Sequence, residues 1–303
     1  MTPAATQVLT HRPLVGILYM CMASTLFPIM NGLVQVLSAR YSAEQIVWAR
    51  TAGHLVFVLA MFAPQFGWRI LVTTQLKSQI VRSILLLMAT LMFFIGVPHL
   101  QLAQAASISF LAPFVVVVLA WPILGERISL PRLLSVLVAF AGVLIVIRPG
   151  SDVFHWASLL ILGNATCYAL YQIFTRRVAG HDRPETSVIY SALVGTIVMS
   201  AVVGFTWRPV DTLMDLGLMC ALGVLGALGH YCVAKAMTFA PANVVAPFMY
   251  WQMVGSVILG YLLWGTMPDW GTWLGATIII SAGLYIGWRE TQERREPVPA
   301  ARS

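Results

Sequence analysis

The chain has 303 residues, of which 59% are hydrophobic and only 10% charged, with a mean hydropathy of +0.84. A soluble domain carries about a quarter charged residues. This chain cannot cover a globular surface with water-facing groups, so the composition specifies an all-α polytopic membrane protein. The net charge of +7 would suit a nucleic acid, but the basic residues are scattered through short segments between apolar runs, with no patch interleaved with aromatics, which excludes that partner.

A helix needs roughly 20 apolar residues to cross a bilayer. Turn and charge signals predict ten such spans, at about 13–37, 43–63, 80–98, 100–124, 130–148, 155–178, 186–206, 213–236, 241–264 and 269–288, then a disordered cytoplasmic tail, 289–303. The first ten residues lack a basic start, and the first apolar run is too long for a signal-peptide core, so no cleavable leader is expected.

Several spans carry polar groups that hydrocarbon would not welcome. Span one places Ser24, Phe27, Asn31 and Gln35 on one helical face, with Pro28 among them. Span two carries Arg50 and His54 at i and i+4. Span four begins with Gln104, Ser107 and Ser109 and contains Pro113. Span six reads NATCYALYQIFTRR over 164–177, with Asn164, Tyr168, Tyr171 and Gln172 on one face and Arg176 and Arg177 closing it. Span eight has His230 beside Tyr231, and span nine has Asn243, Pro247 and Tyr250, with Gln252 and Ser256 on a neighbouring face.

Polar groups in lipid should turn inward, either to tie helices together or to line a cavity. For the stripes taken together, a cavity is the expectation. Large aromatic rings are poor close-packing residues between helices and good walls for an organic substrate. The expected substrate-lining residues are Ser24, Asn31, Asn164, Tyr168, Tyr171, Gln172, Tyr250 and Gln252. Arg50 either snorkels or caps a helix, or else meets a substrate carboxylate. His54 and His230 either pack through hydrogen bonds or carry protons. Pro28, Pro113 and Pro247 are kinks or hinges.

The absences also inform. All eleven acidic residues fall in loops, span ends or the tail, so no span offers the buried counter-charge a lipophilic-cation pump would need. Cys21, Cys167, Cys220 and Cys232 lie inside apolar runs without metal or disulfide spacing, and neither metal nor cofactor is expected. There is no HExxH, no G-x-S-x-G and no pair of intramembrane aspartates, which leaves an intramembrane enzyme as a distant alternative.

Orientation follows from the basic residues. With the N-terminus in the cytoplasm, fourteen of the eighteen Lys and Arg face the cytoplasm, Arg40, Arg148 and Arg208 face the other side, and Arg50 lies within span two. Both termini are therefore expected inside. The halves also repeat. At an offset of 141, Thr25 falls on Thr166, Phe27 on Tyr168, Asn31 on Gln172 and Glu44 on Glu185. At 140, Ala106 falls on Ala246 and Gly125 on Gly265. The expected units are 1–150 and 151–288. Since each holds an odd number of spans, the two five-helix repeats would lie inverted in the membrane, an architecture of secondary transporters.

The stretch QAASISFLAPFVVVVLAWPILGERIS (104–129), the span ending AFAGVLIVI (139–147), and the echoes APANVVAPFMYWQMVGSVILGYLLWGT (240–266) and SAGLYIG (281–287) resemble the ten-helix EamA-type exporters of the drug/metabolite transporter superfamily. Gly265-Thr266 departs from Gly125-Glu126, so the second half does not mirror Glu126. The resemblance covers roughly 13 to 288. It implies a carrier of a small-molecule substrate in the bacterial inner membrane, monomeric or homodimeric, surrounded by lipid. Ala246, Pro247, Phe248, Tyr250 and Gln252 look most like the branch exporting aromatic and other neutral amino acids. Downhill export by alternating access is the simplest mechanism. The runner-up is a proton-coupled exporter of a nucleoside, amine or drug.

Overall fold

The computed structural model describes residues 12–125, 128–151, 154–178, 181–240 and 242–293. Glu126, the side chain of Asn243 and residues 294–303 lie outside the described residues, while residues 289–293, expected in the disordered tail, continue helix α12. The fold is all-α. Its helices are α1 (Pro13–Leu37), α2 (Ala43–Phe66), α3 (Leu76–Gly96), α4 (Leu102–Ser109), α5 (Ala112–Leu124), α6 (Leu130–Ile147), α7 (Ala157–Val178), α8 (Pro184–Val203), α9 (Leu213–Phe239), α10 (Ala242–Val245), α11 (Trp251–Trp264) and α12 (Trp270–Glu293). They make up ten stretches long and apolar enough to cross a membrane.

Local chemistry sets the ends. Pro13 opens α1 and Pro131 opens α6, where a missing N–H costs nothing. Ser42 caps α2 by accepting from the Gln45 N–H, and Thr212 caps α9 by accepting from the Asp215 N–H. Gly125 and Gly265 end α5 and α11 at φ of 72° and 65°, a left-handed backbone that glycine takes without steric cost.

Three expectations need correction. Span three starts at Leu76 rather than 80, which brings Gln79 into the helix and sets Arg82 nearly two turns inside it. Span four is broken at Phe110–Leu111 into α4 and α5. Span nine begins as α10, passes through a 3-10 stretch over Ala246–Tyr250 and continues as α11. Pro113 therefore sits in the first turn after a break and Pro247 within the 3-10 stretch itself, while Pro28 lies within the continuous α1. A proline cannot donate back to the preceding turn, so it is tolerated where a segment restarts.

The principal packing partners are α1 with α9, α3 with α7, α6 with α12, and α2 with both α8 and α9; α4 also packs on α11. Small residues let backbones approach. A Cβ on Gly223 would lie 2.5 Å from the Gly53 backbone, and one on Gly142 would lie 3.0 Å from the Gly275 carbonyl oxygen. Leu134, Leu137 and Leu144 of α6 and Ile258 and Leu262 of α11 face outward. Such an apolar exterior suits lipid.

Candidate functional site

Arg50 stands seven residues into α2, roughly 10 Å along its axis. Only 6% of it is exposed, so it does not snorkel. Its Nη2 lies 3.3 Å from His230 Nε2 on α9, and its guanidinium sits over the Phe94 ring of α3 at 5.8 Å. An arginine only donates, so His230 accepts at Nε2 and carries its proton on Nδ1. His54 stacks on His230 at 6.1 Å, and Phe27 of α1 meets His230 edge-on at 5.4 Å. The glycine series of α9 makes the room. Gly226 faces the Arg50 guanidinium, and a side chain on Gly229 would strike the Phe27 ring.

On α7, the Tyr168 and Tyr171 rings lie 5.5 Å apart. Both are within electrostatic reach of Arg50. The Tyr171 hydroxyl accepts from Arg82 Nη2 at 3.1 Å, and the Arg82 guanidinium covers the Tyr171 ring at 5.0 Å. Arg82 also donates to Thr175 Oγ1, Gln79 Oε1 and the Ser187 carbonyl, joining α3, α7 and α8. Sequence reasoning placed Arg82 among the cytoplasmic loop charges. It is instead 2% exposed inside α3. The available signal was the spacing of Gln79, Arg82 and Ser83 at i, i+3 and i+4.

The remaining candidates divide in two. Asn164 is used as a tie, donating to the Ala89 carbonyl at 2.9 Å with Ser109 3.4 Å from its amide oxygen. Ser24 donates to the Phe248 carbonyl at 3.1 Å, satisfying backbone in the broken segment. Tyr250 packs edge-on against Phe110, with its hydroxyl against Gly283 of α12. By contrast, the Tyr168 hydroxyl and the Asn31, Gln172 and Gln252 amides have no hydrogen-bond partner among the described residues. Asn31 as a residue is 6% exposed.

Two polar clusters, here called latches, tie helices and loops together at opposite ends of the bundle. At one, Asp215 of α9 accepts from Arg40 Nη1 at 3.0 and 3.1 Å and from the Tyr41 hydroxyl at 3.0 Å. Gln45 Nε2 donates to the Arg208 carbonyl nearby at 2.8 Å. At the other end, Asp182 in the α7–α8 loop accepts from Thr73, from the Thr74 N–H at 3.0 Å and from Gln79 Nε2 at 2.8 Å. Burial pushes the Asp182 carboxyl up, but the hydrogen bonds from Thr73, Gln79 and Thr74 outweigh it and hold the group below the ordinary carboxylate range.

The family profile of EamA-like transporters matches twice, over residues 14–148 and 155–288. The chain belongs to the EamA-like transporter family. It is similar to a riboflavin transporter of Vibrio cholerae, with 27% identity over 94% of this chain and 97% of the other. It also resembles an S-adenosylmethionine uptake transporter of Rickettsia bellii, 29% identical over 77% and 80% of the two chains. A pseudopaline exporter of Pseudomonas aeruginosa is 28% identical over 89% and 95%. A solved crystal structure shares the fold at TM-score 0.61 and 15% identity, covering 91% of this chain and 97% of that one. This EamA-like protein is thus a multi-pass membrane transporter of small molecules and not an enzyme. Among the described residues no group of acids, histidines or cysteines could hold a metal ion.

Proposed function

We propose that this carrier exports amino acids, aromatic and other neutral ones, across the bacterial inner membrane, downhill and by alternating access. The observation that carries the reading is the pair of rings at Tyr168 and Tyr171, 5.5 Å apart on α7, with the unpartnered amide of Gln172 on the same helix. The rings supply apolar walls, and Asn31 and Gln172 supply donors and acceptors for amino and carboxyl groups.

The two halves act as inverted repeats. In support, exchanging the halves turns the α1–α9 contact into the α7–α3 contact, and the family profile matches each half once. Both termini lie in the cytoplasm. With Arg82 moved inside α3, the basic residues still divide thirteen to three between the sides.

The test is flux. The purified protein in liposomes should move labelled phenylalanine and threonine down a gradient, and leave a nucleoside, riboflavin and a lipophilic cation behind. Flux of one of the latter alone overturns the amino-acid cargo. No flux of any small metabolite sinks the reading.

A further inference from the structure

Between α2, α3, α8 and α9 lies a mostly apolar cavity of ≈ 20 Å³ with a few polar groups on its wall, room for about one water-sized group. Across it, Arg50, Thr51 and His54 of α2 face Ser191, Ala192 and Gly195 of α8. Each of these pairs is separated by 141 residues, the spacing that relates the two halves of the sequence. The cavity therefore sits on the axis between the halves, where carriers built from repeats place substrates and coupling ions.

The two faces are not alike. The first half contributes a guanidinium and an imidazole, where the second contributes a hydroxyl and no side chain at all. Arg50 makes no ion pair among the described residues. His230, accepting from it, adds no negative charge. Arg50 Nε and His54 Nε2 are both buried without a hydrogen-bond partner. A buried cation with unpaired donors is costly unless a counter-charge joins it. Leu86, Leu87, Ala192 and Gly195 complete an apolar wall that would strengthen such a pair.

We infer that this cavity binds an anionic group: the carboxylate of the cargo, or a small inorganic anion such as chloride that travels with it. Arg50 donates to the anion, and His54 and His230 flank it. One carboxylate oxygen fits the volume, while the rest of a cargo molecule extends toward Tyr168 and Tyr171. An amino acid would be held by its carboxylate. A cargo that is only a cation would be refused. The inference rests on the carrier reading for its cargo, but the anion site itself is tested by binding, and flux serves only to tell the two sources of the anion apart.

The test is calorimetric titration of the full-length protein in nanodiscs, in a chloride-free sulfate medium, with benzoate, benzamide, benzylamine and sodium chloride. Benzoate is expected to bind about tenfold or more tighter than benzamide, with benzylamine weakest. If chloride leaves benzoate affinity unchanged, the anion is the cargo's own. If chloride binds, competes with benzoate and is required for flux, the anion is a travelling ion. Arg50→Gln should lose the benzoate preference. In case that variant fails to fold, Ser191→Asp places a carboxylate across from Arg50, and should raise the melting temperature while weakening benzoate at least about tenfold. Benzoate no tighter than benzamide together with no chloride effect, or wild-type benzoate binding in either variant, overturns the site. Phenylalanine flux without anion preference would discard this inference and retain the carrier reading. Anion binding without amino-acid flux would do the reverse.

Discussion

The Tyr41 hydroxyl donates to the Asp215 carboxylate at one end of the bundle, and the same pairing recurs with its chemistry exchanged at the other end, where Thr74 donates to Asp182. Tyr41 and Asp182 differ by 141 in number, as do Thr74 and Asp215. The loop residue donates in the first latch and accepts in the second. Both are made at once. If the latches are the two gates of an alternating carrier, tethering either must stop turnover. Replace the native cysteines, introduce Tyr41→Cys with Asp215→Cys, or Thr74→Cys with Asp182→Cys, and bridge each pair with a short bis-methanethiosulfonate. Flux should fall to background in each bridged protein and return with reductant. Unimpaired flux through either bridged protein would rule that end out as a gate.

The Asp182 latch should also respond to acid. Its carboxyl titrates lower in the folded protein than in the unfolded chain. The unfolded state therefore takes up protons first as pH falls, and folded stability drops with it. The contribution is complete above about pH 5 and is lost as pH falls through the depressed folded value. Melting curves of wild type and Asp182→Asn should differ at neutral pH and converge as pH falls below the depressed folded value. A constant gap across that range would show that the charge of Asp182 does not matter.

Arg82 is expected to be a structural centre rather than a surface charge. Four protein groups accept from its guanidinium, and a methionine would leave each without its donor. Arg82→Met should cost roughly 3 kcal/mol or more. Arg82→Lys keeps the charge but cannot reproduce the planar fork, so it should fall between the two. Tyr171→Phe removes one acceptor and should cost about 1 kcal/mol. Denaturation in mixed micelles ranks the series, and a wild-type midpoint for Arg82→Met would refute the assignment.

Much of this architecture was legible because bilayer length and hydropathy constrain so few alternatives. Eight of the polar side chains chosen from helical spacing do lie on inward or intermediate faces, Ser24 and Asn31 among the buried ones. Spacing could not separate a helix tie from a cavity wall. Asn164 and Gln172 sit on the same face of α7, yet only Asn164 reaches a free carbonyl, because Ala89 and Ser109 come from helices distant in sequence. The breaks at Phe110–Leu111 and Ala246–Tyr250 were hidden for a similar reason. Each proline was visible, but tertiary contacts decide whether a helix continues through it, as at Pro28, or is interrupted beside it. Arg82 is the exception, since counting it with the cytoplasmic segments overlooked that a charge near a span end can be buried.

The crossing of α2 and α9 gives a sharp packing contrast. A Cβ on Gly223 would meet the Gly53 carbonyl carbon at 2.5 Å and the His54 nitrogen at 2.8 Å, both backbone atoms that cannot swing aside. Gly223→Ala should separate the helices, costing about 1–3 kcal/mol, and carry Arg50 and His54 away from His230. Gly217, one and a half turns earlier on the same helix, has nothing within 4 Å of a Cβ. Gly217→Ala should be neutral or stabilising by up to about 1 kcal/mol. Thermal melts and flux of the two variants decide it, and equal behaviour would mean that the crossing tolerates a methyl group.

The same logic separates lining from tying among the amides. Asn164→Ala removes a hydrogen bond to Ala89 and should lower stability by about 1 kcal/mol, with substrate preference unchanged. Asn31 is as deep but has no protein partner to lose. Asn31→Ala should therefore leave the melting temperature within the error of measurement, or raise it, while weakening cargo binding. Tyr168→Phe should act in the same way, since its hydroxyl is also unpartnered. The measurement is a pair of readouts on each variant, melting temperature and the half-saturating concentration for phenylalanine efflux. Should Asn31→Ala destabilise the fold as much as Asn164→Ala while leaving half-saturation unchanged, Asn31 is a tie and the wall must be sought elsewhere along α1.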